Sequence, residues 1–148
     1  MSACTFFGHR DCIETVKPAL LEVLEDLIRN HGVDIFYVGN QGQFDASVRG
    51  ALRQLQTKYP HIRYAVVLAY MPGEKTEYTD ASDTMLPEGI EGIHPRYAIT
   101  WRNRWMLKNA DFVVTFINRS WGGAVQYAKS AINQGKTVIN IGTFPLPK

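Results

Sequence analysis

The chain has 148 residues, of which 45% are hydrophobic and 20% charged, so we expect residues 1–148 to form a single globular domain. The formal net charge of +2 permits an anionic small-molecule ligand. No basic run or basic–aromatic repeat is present, which argues against nucleic acid as the main partner. No signal peptide or bilayer-length apolar run is present, which predicts a cytoplasmic protein without a membrane partner.

Short apolar runs alternate with amphipathic segments, which predicts strands and helices in turn. In chain order the pattern predicts strand Ala3–Phe7, helix Cys12–Asn30 (regular from near Lys17), strand Asp34–Val38, helix Phe44–Tyr59, strand Ile62–Ala69, loop Tyr70–Pro95, helix Arg96–Asn109, strand Ala110–Ile117, helix Gly122–Gln134 and strand Thr137–Ile141. The strands are almost continuously apolar, which is typical of a parallel sheet covered on both faces. We therefore predict a three-layer α/β fold with a mostly parallel, five-stranded sheet.

The first predicted strand is followed by Gly8, His9 and Arg10. Glycine lets the backbone approach a ligand closely. Arg10 offers a forked donor suited to phosphate, and His9 can donate to an oxygen. A simple turn, in which His9 and Arg10 cap the loop or pair with Asp11, stays open as the alternative.

The second predicted strand is followed by Gly39, Asn40 and Gly42, and Asp45 falls in the first turn of the next helix. Backbone N–H groups at a helix start bind anions, and Asp45 can either hold a ribose hydroxyl or favour the helix dipole. The glycine spacing is not the dinucleotide fingerprint, so we expect no nicotinamide cofactor. A plain turn remains the alternative here as well.

The fourth predicted strand is followed by Trp121, Gly122, Gly123 and Ala124, with Gln126 just inside the next helix. A ligand phosphate at these paired glycines would meet N–H donors and the helix dipole together. A simple flexible loop is the competing interpretation.

The helix before the fourth strand contains Trp101 and Trp105, which are neighbours on one face. We interpret them as core or interface anchors, with base-stacking platforms as the alternative, and an apolar patch there would suit a homo-oligomer. Arg102 and Arg104 lie on different faces, so only one of them is expected to face a ligand. No Cys/His cluster has metal-ligand spacing, so no metal is expected, and the two cysteines are interpreted as free thiols.

Four segments together resemble the YspA/YpsA-like branch of the SLOG superfamily. They are Gly8-His9-Arg10, then Gly39-x-x-Gly42-x-x-Asp45, then Arg102-Asn103-Arg104-Trp105-Met106, and finally Gly122-Gly123 with the helix that follows. The resemblance covers nearly the whole chain except the loop Tyr70–Pro95. It implies a Rossmann-like fold that binds or senses a nucleotide or nucleotide-derived ligand, with Arg102 and Asn103 among the ligand-binding residues.

The same superfamily includes the Lonely Guy enzymes, which cleave the N-glycosidic bond of nucleotides. Arg102 and Met106 keep the spacing of their catalytic arginine and of the methionine that follows it. Their catalytic glutamate is absent, because Lys129 or, in a shifted register, Tyr127 takes its position. A lysine or tyrosine would not stabilise an oxocarbenium-like transition state as a carboxylate does.

Three functions therefore stay open at this stage. Ligand binding or sensing is the leading interpretation. An N-glycosidase with Arg102 and Asp45 as catalytic residues is the second. Single-stranded DNA binding, which the superfamily's DprA proteins suggest, is the third.

Overall fold

The computed structural model describes residues 2–9, 16–40, 42–70 and 84–143. Its strands and helices are β1 (Ser2–Gly8), α1 (Lys17–His31), β2 (Val33–Val38), α2 (Gly42–Lys58), β3 (Arg63–Val67), β4 (Thr84–Met85), α3 (Ala98–Lys108), β5 (Phe112–Phe116), α4 (Gly123–Asn133) and β6 (Thr137–Asn140). Nine of these ten elements match the predicted strands and helices to within a few residues. Of the described helices, none combines the length and apolarity that a membrane crossing requires.

Helix α1 shows how apolar spacing, proline and glycine predict where a helix begins and ends. Its buried residues include Leu20, Leu24 and Leu27, which are spaced to share one face of a helix. Pro18 lies in the first turn, where its missing N–H costs nothing. Gly32 ends the helix with φ at +67°, and its N–H donates to the carbonyl of Leu27. The first residues of the predicted helix, before Val16, lie outside the described residues.

The sheet has six strands in the order β4-β3-β2-β1-β5-β6, and every described pairing is parallel. The predicted count of five strands was one short, because Thr84–Met85 falls within the predicted loop Tyr70–Pro95. These two residues pair with Val66 and Val67 at the edge of the sheet. Two residues carry no readable periodicity, so only the folded chain reveals this strand. Residues 71–83 of the predicted loop lie outside the described residues.

Helices cover both faces of the sheet, which confirms the predicted layers. Consecutive side chains of a strand point to opposite faces, so Phe6 packs with α1 and α2 while Phe7 packs with α3 and α4. The first layer buries aliphatic side chains such as Leu24 and Leu52 against the sheet. The opposite layer contains Met106 and the small residues of α4.

The strand order reverses at β1, which lies between β2 and β5. From β1 the chain builds outward through β2, β3 and β4, and it then returns to place β5 on the other side of β1. The connections that leave β1 and β5 therefore diverge to opposite faces of the sheet. A crevice is expected at the carboxyl ends of these two strands.

Candidate functional site

A cavity of about 300 Å³ occupies this crevice, beyond the carboxyl end of β1. Its volume is at the lower end of the range for small-molecule sites. Eight residues that the sequence analysis proposed for ligand binding line the cavity: Gly8, His9, Asp45, Arg102, Asn103, Gly122, Gly123 and Ala124. These residues come from four separate segments of the chain, which only the parallel sheet brings together.

Arg102 is the main cation of the cavity, and only 2% of its surface is exposed. Its Nε donates to the Asn103 side chain at 2.9 Å, and its Nη1 donates to the Val67 carbonyl at 3.0 Å and to Asn40 Oδ1 at 3.3 Å. Within the described part of the chain, no hydrogen bond uses its second terminal nitrogen, Nη2. Burial lowers the pKa of Arg102 from its usual value, and the neighbouring Asp45 carboxylate opposes that change.

The loop after β2 contacts the Arg102 guanidinium. Asn40 accepts a hydrogen bond from the guanidinium. A methyl group on the buried Gly39 would lie 2.7 Å from Asp45 Oδ2 and 3.2 Å from Arg102 Nη1, so the glycine leaves room for both side chains. Gly42 begins α2 with φ at +84°. Gly39, Asn40 and Gly42 are not among the cavity-lining residues, so their direct contact with a ligand stays a prediction.

The start of α4 forms another wall of the cavity. Gly122 has φ at +110°, a conformation that favours glycine, and a methyl group there would lie 3.7 Å from the His9 ring. His9 is buried, and its backbone N–H donates to the Phe116 carbonyl at 3.1 Å. A methyl group on Gly123 would meet no atom within 4 Å, so space is open beside the first N–H groups of the helix. The positive end of the α4 dipole therefore faces accessible volume.

Two other predicted site residues, Trp121 and Gln126, are not among the described residues that line the cavity. Trp121 is 66% exposed and directly precedes Gly122, with the Arg119 guanidinium carbon 5.3 Å from its ring centroid. Gln126 is exposed and lines a separate groove between α3 and α4, which it shares with Arg104. Arg10 lies outside the described residues, so its predicted contact with phosphate stays a prediction.

The sequence analysis did not propose several side chains that complete the cavity wall: Phe6, Phe7, Ile99, Met106, Arg119 and Tyr127. Tyr127 stacks on Phe7 with ring centroids 4.9 Å apart. Of the two positions aligned with the missing glutamate, Tyr127 therefore lines the cavity, whereas Lys129 is exposed on α4. Arg119 lies in the loop after the fourth predicted strand, so its charge and its place in the chain were a usable signal.

The two tryptophans of α3 pack within the chain. Trp101 is half-buried against Ile90 and Ala98. Trp105 is also half-buried, and its ring meets the Tyr37 ring edge-on at 5.1 Å. Much of the apolar surface that suggested a subunit contact is thus used in intrachain packing. The homo-oligomer stays a prediction.

The reversal of strand order and the cavity at the point of reversal define a Rossmann-like α/β domain. No family model matches the sequence, and no curated protein matches it. Among solved structures, the chain is similar to the X-ray structure of DNA processing protein A (DprA) from Streptococcus pneumoniae. The TM-score is 0.69 at 16% sequence identity, over 95% of this chain and 50% of that one. The likeness confirms the fold, and this chain spans half the length of that protein.

Proposed function

We propose that this domain binds a nucleotide or nucleotide-derived ligand and holds the ligand's phosphate between Arg102 and the start of α4. The observation that carries the proposal is Arg102 itself. It is a buried guanidinium that lines the cavity, and its Nη2 has no acceptor among the described residues. A guanidinium with a terminal nitrogen still able to donate, held in a cavity wall, is a strong partner for a phosphate, because charge-assisted hydrogen bonds are the strong ones.

The cavity provides donors of two kinds for the anion. The guanidinium of Arg102 offers a charged, planar donor, and the first N–H groups of α4 at Gly122 and Gly123 offer backbone donors with the helix dipole behind them. Arg119 adds a second cation to the wall. Such an arrangement suits a phosphate more than an uncharged ligand.

Asp45 gives the site a polarity that suits a sugar phosphate. Its carboxylate lines the same cavity and partly offsets the lowering of the Arg102 pKa by burial. A carboxylate repels phosphate but accepts hydrogen bonds from hydroxyl groups. We therefore place the ribose hydroxyls at Asp45 and the phosphate toward Arg102 and α4.

Isothermal titration with ribose 5-phosphate, AMP and adenosine tests the proposal. The two phosphate-bearing compounds are expected to bind and adenosine to bind much more weakly. Arg102→Met should weaken AMP binding by about tenfold to a hundredfold, as expected for the loss of a charged hydrogen bond. Arg104→Met is the matched control, because Arg104 is exposed on the same helix outside the cavity. Absence of binding by every phosphate compound contradicts the proposal.

Asp45 also favours a second candidate, cleavage of a nucleotide's N-glycosidic bond. Among the described residues that line the cavity, it is the one carboxylate. A carboxylate near the sugar can stabilise an oxocarbenium-like transition state. Release of free adenine from AMP, followed by chromatography and abolished in Asp45→Asn, would support catalysis over binding alone. Intact AMP after prolonged incubation with saturating protein would exclude it for this nucleotide.

The similar solved structure is named a DNA processing protein, which makes single-stranded DNA a third candidate ligand. A cavity of about 300 Å³ suits a group the size of a sugar phosphate more than a strand that crosses the surface. Fluorescence anisotropy with a labelled oligonucleotide at low salt distinguishes single-stranded DNA from a small nucleotide-like ligand. Binding that weakens steeply with added salt would favour DNA, whereas absence of binding would leave the small ligand.

A further inference from the structure

Trp121 is the most exposed of the large hydrophobic side chains in the described part of the chain, at 66%. It directly precedes Gly122, which lines the cavity. Exposing most of an indole to water forgoes a large part of the stabilisation that its burial would provide. An exposed apolar side chain next to a residue of the cavity wall is typical of a ligand-contact surface.

Arg119 connects this indole to the cavity. Its guanidinium carbon lies 5.3 Å from the Trp121 ring centroid, within the range of a cation–π interaction, and Arg119 also lines the cavity. The cation therefore restrains the indole next to a side chain of the cavity wall. Because the indole is mostly exposed despite this contact, a flat apolar surface remains available there.

The size of the cavity indicates what this surface contacts. About 300 Å³ is at the small end of ligand sites, so a ribose phosphate that reaches Arg102 and Asp45 fills much of it. A base attached to that ribose then extends toward the mouth. Trp121 is adjacent in the chain to the glycines at the proposed phosphate site, so base and indole come within reach of each other.

We propose that Trp121 is the stacking platform for the ligand's aromatic base, with Arg119 holding the indole in place. The ligand class is then a base-bearing ribose phosphate, such as a nucleoside monophosphate, rather than a sugar phosphate alone. This inference rests on the proposed phosphate site. Stacking of a base on an aromatic side chain strengthens binding by about fivefold to a hundredfold and tolerates different bases, since every base has a π-face.

The test compares AMP with ribose 5-phosphate by isothermal titration in wild type, Trp121→Ala and Trp121→Phe. In wild type, AMP should bind about fivefold to a hundredfold more tightly than ribose 5-phosphate. Trp121→Ala should remove most of this advantage and leave ribose 5-phosphate affinity unchanged, and Trp121→Phe should retain a substantial part of it. Tyr97→Ala is the matched control, because it removes another exposed aromatic side chain that does not line the cavity.

The outcomes separate the two proposals. If neither compound binds to wild type, the proposed phosphate site is wrong, and the stacking proposal that rests on it is also overturned. If both bind with equal affinity, or if Trp121→Ala weakens both equally, the stacking proposal is overturned while the phosphate site stands. If Trp121→Ala lowers the oligomeric mass in solution but keeps the preference for AMP, the indole belongs to a subunit contact, which also overturns the stacking proposal.

Discussion

Replacing Gly39 by alanine is a direct test of how the loop after β2 supports the site. The new methyl group would lie 2.7 Å from Asp45 Oδ2 and 3.2 Å from Arg102 Nη1. The first distance is shorter than any ordinary contact of a methyl group, so the carboxylate must move. Arg102 has little freedom to move with it, because its guanidinium is hydrogen-bonded to Val67 and Asn40.

Overpacking of this kind costs about 1–3 kcal/mol. The lower half of this range applies here, because the closest atom is the end of a half-buried side chain. For a chain of this size, that corresponds to a melting temperature lowered by about 3–6 °C in scanning calorimetry. Gly92→Ala is the control, because a methyl group there meets no atom within 4 Å and Gly92 has no positive φ. The Gly39→Ala protein should also bind ribose 5-phosphate more weakly, since the Arg102 guanidinium is displaced.

A double-mutant cycle with Asp45→Ala identifies the contact responsible. Removing the carboxylate removes the closest obstacle, so Gly39→Ala should cost less in that background than in wild type. Pairs in direct contact show interaction free energies of about 0.5–3 kcal/mol. Strictly additive losses, or a Gly39→Ala protein that melts within a degree of wild type, would refute the proposed clash of the new methyl group with the Asp45 carboxylate.

Three further predictions concern the frame around the site. Gly142→Ala should destabilise the fold more than Gly39→Ala, because its methyl group would overlap the backbone of Ile117, which cannot swing aside as a side chain can. A thermal melt tests this, and an unchanged midpoint contradicts it. Asn140→Ala should cost about 1–3 kcal/mol in urea unfolding, because the Asn140 side chain accepts hydrogen bonds from the N–H groups of Ile117 and Gly142; a midpoint equal to that of wild type would count against this. Burial raises the pKa of the Cys4 thiol far above its usual value. A Cys12→Ser protein should therefore resist a thiol reagent such as DTNB at pH 8 until it unfolds, and rapid labelling of the native protein would contradict this.

Local sequence patterns were sufficient to predict most of the strands and helices. The apolar runs predicted five parallel strands, because a strand covered on both faces needs apolar residues at nearly every position. Helical spacing also separated Arg102 from Arg104 by face, and the structure places the first in the cavity wall and the second outside it. Pattern alone did not reveal β4, since two residues define no period and their pairing with β3 depends on how the chain returns to the sheet edge.

By itself, therefore, the sequence determined the layers, the loops at the strand ends and a short set of candidate residues, because these depend on spacing along the chain. Only the tertiary structure decided which side chains share one cavity. It brought Tyr127 rather than Lys129 to the wall and packed Gly39 against the side chains of Asp45 and Arg102. The reason is physical: a cavity is bounded by segments distant in sequence, and its shape depends on how strands and helices pack rather than on the pattern within any one of them.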